Sequence, residues 1–472
     1  MEFENLKSEL KSQLDTGLKF ARSLDSEAQF EIFIYFMNKS NLKILEGMVE
    51  ANDGLISGNA VKVAKKTSNN KFRVSFTSSS GNDLERIKKN IQECYSTNRS
   101  LTVKDKRFQS FCHPIEEGKE GILSDDLLAI TTSDLVPYSQ LIIEEAKAVD
   151  ERIKTVGTSM ILETGGFAIG NTNGVLGASR LTEFTCEIET HAKEGDDRKD
   201  TYKTVHSRRK IPELEGLGAE TARHAIQLLG GKKLNETMSI PTIWDNEAAA
   251  CYIRASLGQS SSGLYVVEGL SPLADKIGDR IANPAFTLTD DGQLPSASTT
   301  HSCDAEGYPQ GTHTLVENGV LKTFLFNSYY STIFGTDPTG NCSRRGAGIF
   351  PSSLPYEQVP SIDISILRVK PGSKNKTEDD LISNIDGKAL YVRSMPMGIF
   401  HSQVSTGEFS AVASEVFLVE NGEIITPLKS ASIAGNFYTG LQKIIEIGGN
   451  VQWTPFGVET PSLIIDGLSI VA

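Results

Sequence analysis

The sequence predicts an α+β protein in two parts: an N-terminal α/β domain over residues 1–234 and a β-rich domain over residues 235–472, its antiparallel sheets arranged as a barrel or sandwich. Three observations carry that expectation. The chain has 472 residues, more than one ordinary domain holds. Its 41 glycines against 17 prolines favour many tight turns, and hence strands. Its texture also changes near residue 235, where amphipathic helical stretches give way to short apolar runs separated by Asn-Gly and Asp-Gly pairs.

In the N-terminal part, Leu6, Leu10, Leu14 and Leu18 recur at near-helical spacing, and Ala21 and Leu24 continue the stripe, so residues 1–24 read as a helix. Strands are expected at Phe30–Phe36, near Leu42–Val49 and at the alternating Phe72–Phe76. A helix over Asp83–Tyr95 presents Leu84, Ile87, Ile91 and Cys94 on one face, and a longer one over Asp134–Ile153 presents Leu141, Ile142, Ala146 and Val149. Met160–Leu162, Phe167–Gly170 and Leu181–Glu189 read as strands, with Asn171-Thr172-Asn173-Gly174 as a hairpin turn. Residues 192–203 are almost all polar and read as a mobile loop, and Ala219–Leu229 reads as a helix stopped by Gly230-Gly231.

Beyond residue 235 the expected strands are Thr312–Val316, Leu321–Phe326, Ile364–Val369, Ala389–Val392, Glu415–Val419 and Ser462–Ile465, turned at Asn318-Gly319, Asn421-Gly422 and Asp466-Gly467. Thr377-Glu378-Asp379-Asp380 has the character of a capping box, so Leu381 and Ile382 open a helix there.

A formal net charge of −13 argues against nucleic-acid binding, which draws its affinity from basic patches. The one sizeable basic run, His206-Ser207-Arg208-Arg209-Lys210, reads as a solvated loop. The N-terminus lacks the pattern of a secretion signal, and there is no apolar run of about eighteen residues to cross a membrane. Six scattered cysteines without a CxxC read as free buried thiols in a reducing, cytoplasmic setting.

Familiar catalytic patterns are missing. Gly165-Gly166-Phe167-Ala168-Ile169-Gly170 lacks the spacing and Lys-Ser/Thr of a phosphate loop and reads as strand-turn glycine. The serines Ser256, Ser260, Ser261 and Ser262 sit on no GxSxG elbow and read as a polar loop. None of the seven histidines is followed by Glu and no two are four apart, so neither HExxH nor HxxEH occurs. The local candidate is His301-Ser302-Cys303-Asp304 with His313, which offers two imidazoles and a thiol for a zinc or a nucleophile–base pair; polar strand-end residues are the competing reading.

A series of short motifs in the C-terminal half is more informative. It runs Asp304-Ala305-Glu306-Gly307-Tyr308-Pro309, Glu317-Asn318-Gly319, Pro338-Thr339-Gly340-Asn341, Lys370-Pro371-Gly372, Thr406-Gly407-Glu408, Asn421-Gly422-Glu423, Ile433-Ala434-Gly435-Asn436 and Thr460-Pro461-Ser462 through Asp466-Gly467-Leu468. In this order the motifs resemble the C-terminal domain of the TldD/TldE family, also called PmbA or modulator-of-gyrase proteins, over roughly residues 235–472. The N-terminal half agrees in layout.

The resemblance implies the following. TldD-type chains carry HExxxH on a helix, with two zinc-binding histidines, a glutamate base and a further cysteine ligand near the C-terminal end. Here that helix follows Ile240-Pro241-Thr242-Ile243-Trp244, and the frame falls on Arg254, Ala255 and Gln259, with Gly258 at the family glycine. Arginine is a permanent cation, alanine offers no base, glutamine is a poor zinc ligand, and residues 448–460 contain no cysteine. The chain therefore resembles a TldE/PmbA-type subunit without catalytic or metal-ligating residues of its own. Zinc is expected in a TldD-like partner of a heterodimer, with homodimers possible and most dimer contacts on the C-terminal part. The substrate implied is a peptide or unfolded protein; a scaffold or regulatory binding protein with no protease link is a further reading. Arg254 reads either as a contact to a partner or peptide carboxylate in a shared groove, alongside Gln259, or as a surface arginine. Glu247 reads as a first-turn carboxylate favoured by the helix dipole.

Overall fold

The structure, a computed structural model, describes residues 3–345, 354–374 and 376–471; Met1, Glu2 and Ala472, at the ends of the expected domains, lie outside the described residues. The N-terminal half is built on six long strands: β1 (Gln29–Leu45), β2 (Met48–Lys66), β3 (Phe72–Ser80), β4 (Ile153–Asn171), β5 (Leu176–Glu194) and β6 (Asp197–Ser207). They form one sheet in the order β3-β2-β1-β4-β5-β6, and every neighbouring pair is antiparallel.

Side chains alternate between the faces of a strand, so residue parity assigns each to a layer. Even-numbered Phe30, Ile32 and Ile34 of β1, with Ala168 and Ala178, pack beneath α1 (Leu6–Leu24) and α2 (Leu84–Ser100). Farther along the same face, Leu42, Ile44, Met160, Leu162, Phe184 and Cys186 pack with α3 (Asp125–Leu128) and α4 (Thr132–Val149). Then α5 (Leu217–Leu228) closes that end through Ala222 and Ala225. Odd-numbered Phe33 and Ile169 lie on the opposite face and meet Cys303 and Tyr356 of the C-terminal half. The sheet is thus a wall with helices on one side and the second half of the chain on the other.

Several expectations are corrected here. The three short strands expected between 160 and 189 are two continuous ones, because Gly165 and Gly166 lie inside β4 rather than in a turn; a Cβ on either would come within 2.2 Å of a neighbouring strand's carbonyl oxygen. Residues 192–203 form the β5–β6 hairpin rather than a mobile loop, its polar character being that of a charged sheet edge. The long helix starts at Thr132, ends at Val149, and exposes Leu141 while burying Leu135. The hairpin turn at Asn171–Gly174 is as expected, with Gly174 at φ +106° and the Asn171 amide donating to Cys112 O at 2.9 Å.

The basic run is a solvated loop only in part, at the exposed Arg209 and Lys210. His206 stacks on Trp453 with centroids 4.8 Å apart, and Arg208 is 1% exposed and donates to Ala297 O and Thr300 O, both at 2.9 Å. Gly121 makes room for it: an added Cβ would lie 2.0 Å from Arg208 Nη1. Arg344 forms a second tie between the halves, stacked 4.4 Å over Phe33 and 3.7 Å from the buried Glu31 carboxylate.

The C-terminal half contains two six-stranded sheets and smaller ones. One sheet runs Glu423–Pro427, Glu415–Glu420, Lys388–Arg393, β7 (Thr242–Trp244), Leu463–Ile465 and Ile444–Ile447. The other runs Val320–Leu321, Thr312–Glu317, Leu288–Asp291, Leu367–Val369, Val458–Thr460 and Gln452–Thr454. Both are mainly antiparallel, and each includes one parallel pair joining segments far apart in sequence. The turns Asn318-Gly319 and Asn421-Gly422 have positive φ at both residues, as two-residue hairpins require. The expected strand Leu321–Phe326 ends at Leu321, because the next backbone groups pair with loops: Leu325 N donates to Ser261 O and Phe326 N to Thr339 Oγ1.

Candidate functional site

The site begins where β7 turns into a helix. The Trp244 indole donates to Thr242 Oγ1 at 2.8 Å, and Asp245 caps the helix α6 (Asn246–Ile253) by accepting from Ala248 N at 2.7 Å. Asn246 bridges Asn450 O and Thr460 O at 2.7 and 2.6 Å, which pins the helix start to the Thr460-Pro461 motif. Alanines along α6 let it sink wholly into the core. Glu247 is in the first turn, yet burial and then Glu415 push its carboxyl up to about 7, so the dipole is not the dominant influence on it.

The helix expected over 246–259 does not stay α-helical. From Arg254 to Gly258 it widens into a π turn. This matters for the frame at 254, 255 and 259. Residues five apart fall on different sides of an α-helix, whose neighbours are three and four apart. A π turn closes through i→i+5 hydrogen bonds and stacks such residues. Arg254 and Gln259 accordingly line the same cleft, of about 390 Å³.

Arg254 is not a surface residue. Its side chain is 14% exposed, and Nη2 donates to Asp363 Oδ1 at 2.7 Å. A Cβ on Gly258 would sit 3.1 Å from Arg254 Cδ, so glycine there lets the arginine fold back along the turn. Gln259 is exposed. The lining of the cleft includes the apolar Leu264, Ile362, Met395 and Phe400. The nearby serines are core rather than loop: Ser256, Ser260, Ser261 and Ser262 are all buried, with Ser256 and Ser260 hydroxyls returned to the carbonyls of Ile253 and Ser256.

A second cavity, of about 290 Å³, lies between the N-terminal sheet and the C-terminal half, lined by Tyr35, Glu163, Phe167, Glu183 and His301. It shares Ser343 and Asp363 with the first cleft. Glu163 and Glu183 are direct cross-strand partners; Lys39 pairs with Glu163 at 3.2 Å and His206 with Glu183 at 2.9 Å.

The His301, Cys303 and His313 grouping is not assembled as a catalytic or metal centre. His301 Nδ1 is 3.2 Å from Ser179 Oγ, and burial, then Arg208, hold its pKa down at about 3. The Cys303 thiol is buried beside Gly177, and burial raises it far from thiolate formation. His313 Nε2 donates to Thr339 O at 2.8 Å. Among the described residues, no three His, Cys, Asp or Glu side chains converge as a metal would need. Nor do the side chains at 254, 255 and 259 fit zinc: a guanidinium already paired with a carboxylate, a methyl group and an exposed amide.

The motifs found in the sequence act mainly as locks. Asp304 accepts from the backbone N–H groups of Glu306, Tyr308 and Cys342. Asn341 donates to Asp290 Oδ2 at 2.7 Å, and the other carboxylate oxygen, Oδ1, accepts from Ser365 N. Asn436 caps the helix Phe437–Gln442 and donates to Thr406 O, joining two further motifs.

Comparison with known proteins agrees with this layout. Sequence models described as the PmbA/TldA metallopeptidase C-terminal and central domains match residues 237–472 and 125–229. The chain is 24% identical over 351 residues to a protein named metalloprotease TldD homolog from Buchnera aphidicola, covering 69% of each chain. It is 25% identical over 366 residues to metalloprotease PmbA homolog from Haemophilus influenzae, covering 74% of this chain and 75% of the other. The crystal structure of TldE from Thermococcus kodakarensis superposes with a TM-score of 0.84 at 20% identity, over 98% of this chain and all of that one, and so has the same fold. The chain belongs to the PmbA/TldD family of metallopeptidases.

Proposed function

We propose that this chain is the non-catalytic, zinc-free subunit of a TldD/TldE-type metalloprotease complex acting on peptides and unfolded proteins in the cytoplasm. On this reading, a TldD-like partner carries the zinc and performs the hydrolysis. This chain completes the complex and holds substrate in the cleft at the end of α6, with residues 1–234 and 235–472 as its two domains. The observation that supports it is the frame itself: the turn that would present the ligands is wound as they need, but it carries Arg254, Ala255 and Gln259, with Arg254 committed to Asp363. An independent hydrolase using His301, Cys303 and His313 is disfavoured by the separate hydrogen bonds of the two histidines and the burial of the Cys303 thiol.

The test is elemental analysis of the purified chain, together with peptide hydrolysis and size-exclusion chromatography with and without a TldD-like chain. The expected result is zinc far below one per chain, no hydrolysis alone, and a stoichiometric complex that hydrolyses peptide. Stoichiometric zinc, or hydrolysis by the chain alone, overturns the reading.

A further inference from the structure

We propose that the cleft beside the π turn is a receptor for the C-terminus of a polypeptide: Arg254 takes the terminal α-carboxylate, and the apolar wall takes a large apolar side chain next to it. The proposal rests on the substrate-holding role given above and specifies what is held.

The first argument is the state of Arg254. A guanidinium carries five N–H donors. The hydrogen bond it makes to the described residues uses Nη2 alone, and the side chain, 14% exposed, lines the cleft. Asp363 is held independently, since its Oδ1 also accepts from Ile364 N at 2.8 Å. The pair thus leaves an edge of the guanidinium for a second carboxylate, the partner its planar fork suits best.

The second argument is the wall. Leu264, Ile362, Met395, Met397 and Phe400 offer the cation a largely apolar setting, in which a charge-assisted bond counts for more than in water. The two methionines are adaptable and suit variable apolar partners; Met397, 61% exposed, stands at the rim.

The third argument distinguishes a chain terminus from an internal acidic side chain. Asp363 and Ser343 line both this cleft and the neighbouring cavity, so the Arg254–Asp363 ion pair is part of the partition between them. An extended peptide running along the apolar wall meets that partition and ends there, with its last carboxylate against Arg254.

The test is fluorescence anisotropy on the purified full chain with a labelled Gly-Ala-Gly-Ala-Phe peptide as the free acid, as the C-terminal amide, and as an amide ending Phe-Glu. The free acid is expected to bind about tenfold more tightly than either amide, the worth of one charge-assisted hydrogen-bonded pair. Arg254→Gln abolishes that preference. Asp363→Asn, which keeps its acceptor oxygen but removes the competing charge, about doubles it. Equal binding of acid and amide overturns the proposal, and a Phe-Glu amide as tight as the free acid overturns the terminus in favour of an acidic side chain. Should Arg254→Gln fail to fold, an unchanged ratio in Asp363→Asn overturns it equally. Loss of acid preference with an intact partner complex counts against this inference alone; absence of any partner complex counts against the subunit reading alone.

Discussion

The two halves of the chain are held together in different ways. In the N-terminal sheet, strands as long as β4 and β5 alternate layer by layer, and burial is spread over many apolar side chains. In the C-terminal half, several strands are only two or three residues long, and single polar side chains such as Asp304, Asn246 and Asn341 tie loops that no ladder reaches. Distributed burial tolerates local loss, whereas a lock that serves several backbone groups fails as a unit. That difference can be broken or sharpened experimentally.

The largest effect is expected from Asp304→Ala. It leaves two buried N–H groups and one partly buried N–H group without their acceptor, at roughly 1–3 kcal/mol for each buried one, so a loss of at least about 2 kcal/mol should appear in urea denaturation. A loss under about 1 kcal/mol would mean that the locks are incidental. Gly121→Ala comes next. Its Cβ would displace the Arg208 guanidinium from Ala297 and Thr300, with an expected cost of about 1–3 kcal/mol and earlier proteolysis in the seam between the halves.

Glu247→Gln tests one buried charge. The folded carboxyl keeps its proton up to about 7, while an unfolded glutamate releases it near its ordinary value of about 4.3. Between those values the folded state binds more protons, so this group costs stability as pH rises through the window. The variant should be more stable than the parent at pH 8, with the advantage vanishing towards pH 4; an equal difference at both pH values would contradict the assignment. At the small end, Lys19→Ala removes an exposed helix pair with Asp15 and should shift stability by less than about 0.5 kcal/mol.

The same contrast explains what could be read from the sequence. The α1 stripe, the alternation in β3 and the Asn-Gly turns are local patterns, and each appears where expected. The β5–β6 hairpin was hidden because an edge strand in solvent needs no apolar residues, as Lys199, Asp200 and Lys203 illustrate. Arg208 was hidden because its partners lie about 90 residues away and are backbone carbonyls, which leave no trace in residue type. At the cleft, the replaced frame was legible from residue chemistry. The π turn and the Arg254–Asp363 pair were not, since one is a backbone geometry and the other spans 109 residues.

The π turn has one further consequence, for the length of the chain. Such a turn holds one residue more than an α-helical turn in the same place. Deleting a single residue between Arg254 and Gly258 should therefore be absorbed by rewinding: the segment closes as ordinary α-helix, while Ser260 and everything after it keep their places in the core. The residues now at 254 and 259 would then be four apart, the spacing at which α-helical side chains stack, so they stay aligned. The cleft would keep both of these lining residues on one residue fewer, in a protein that otherwise folds as before.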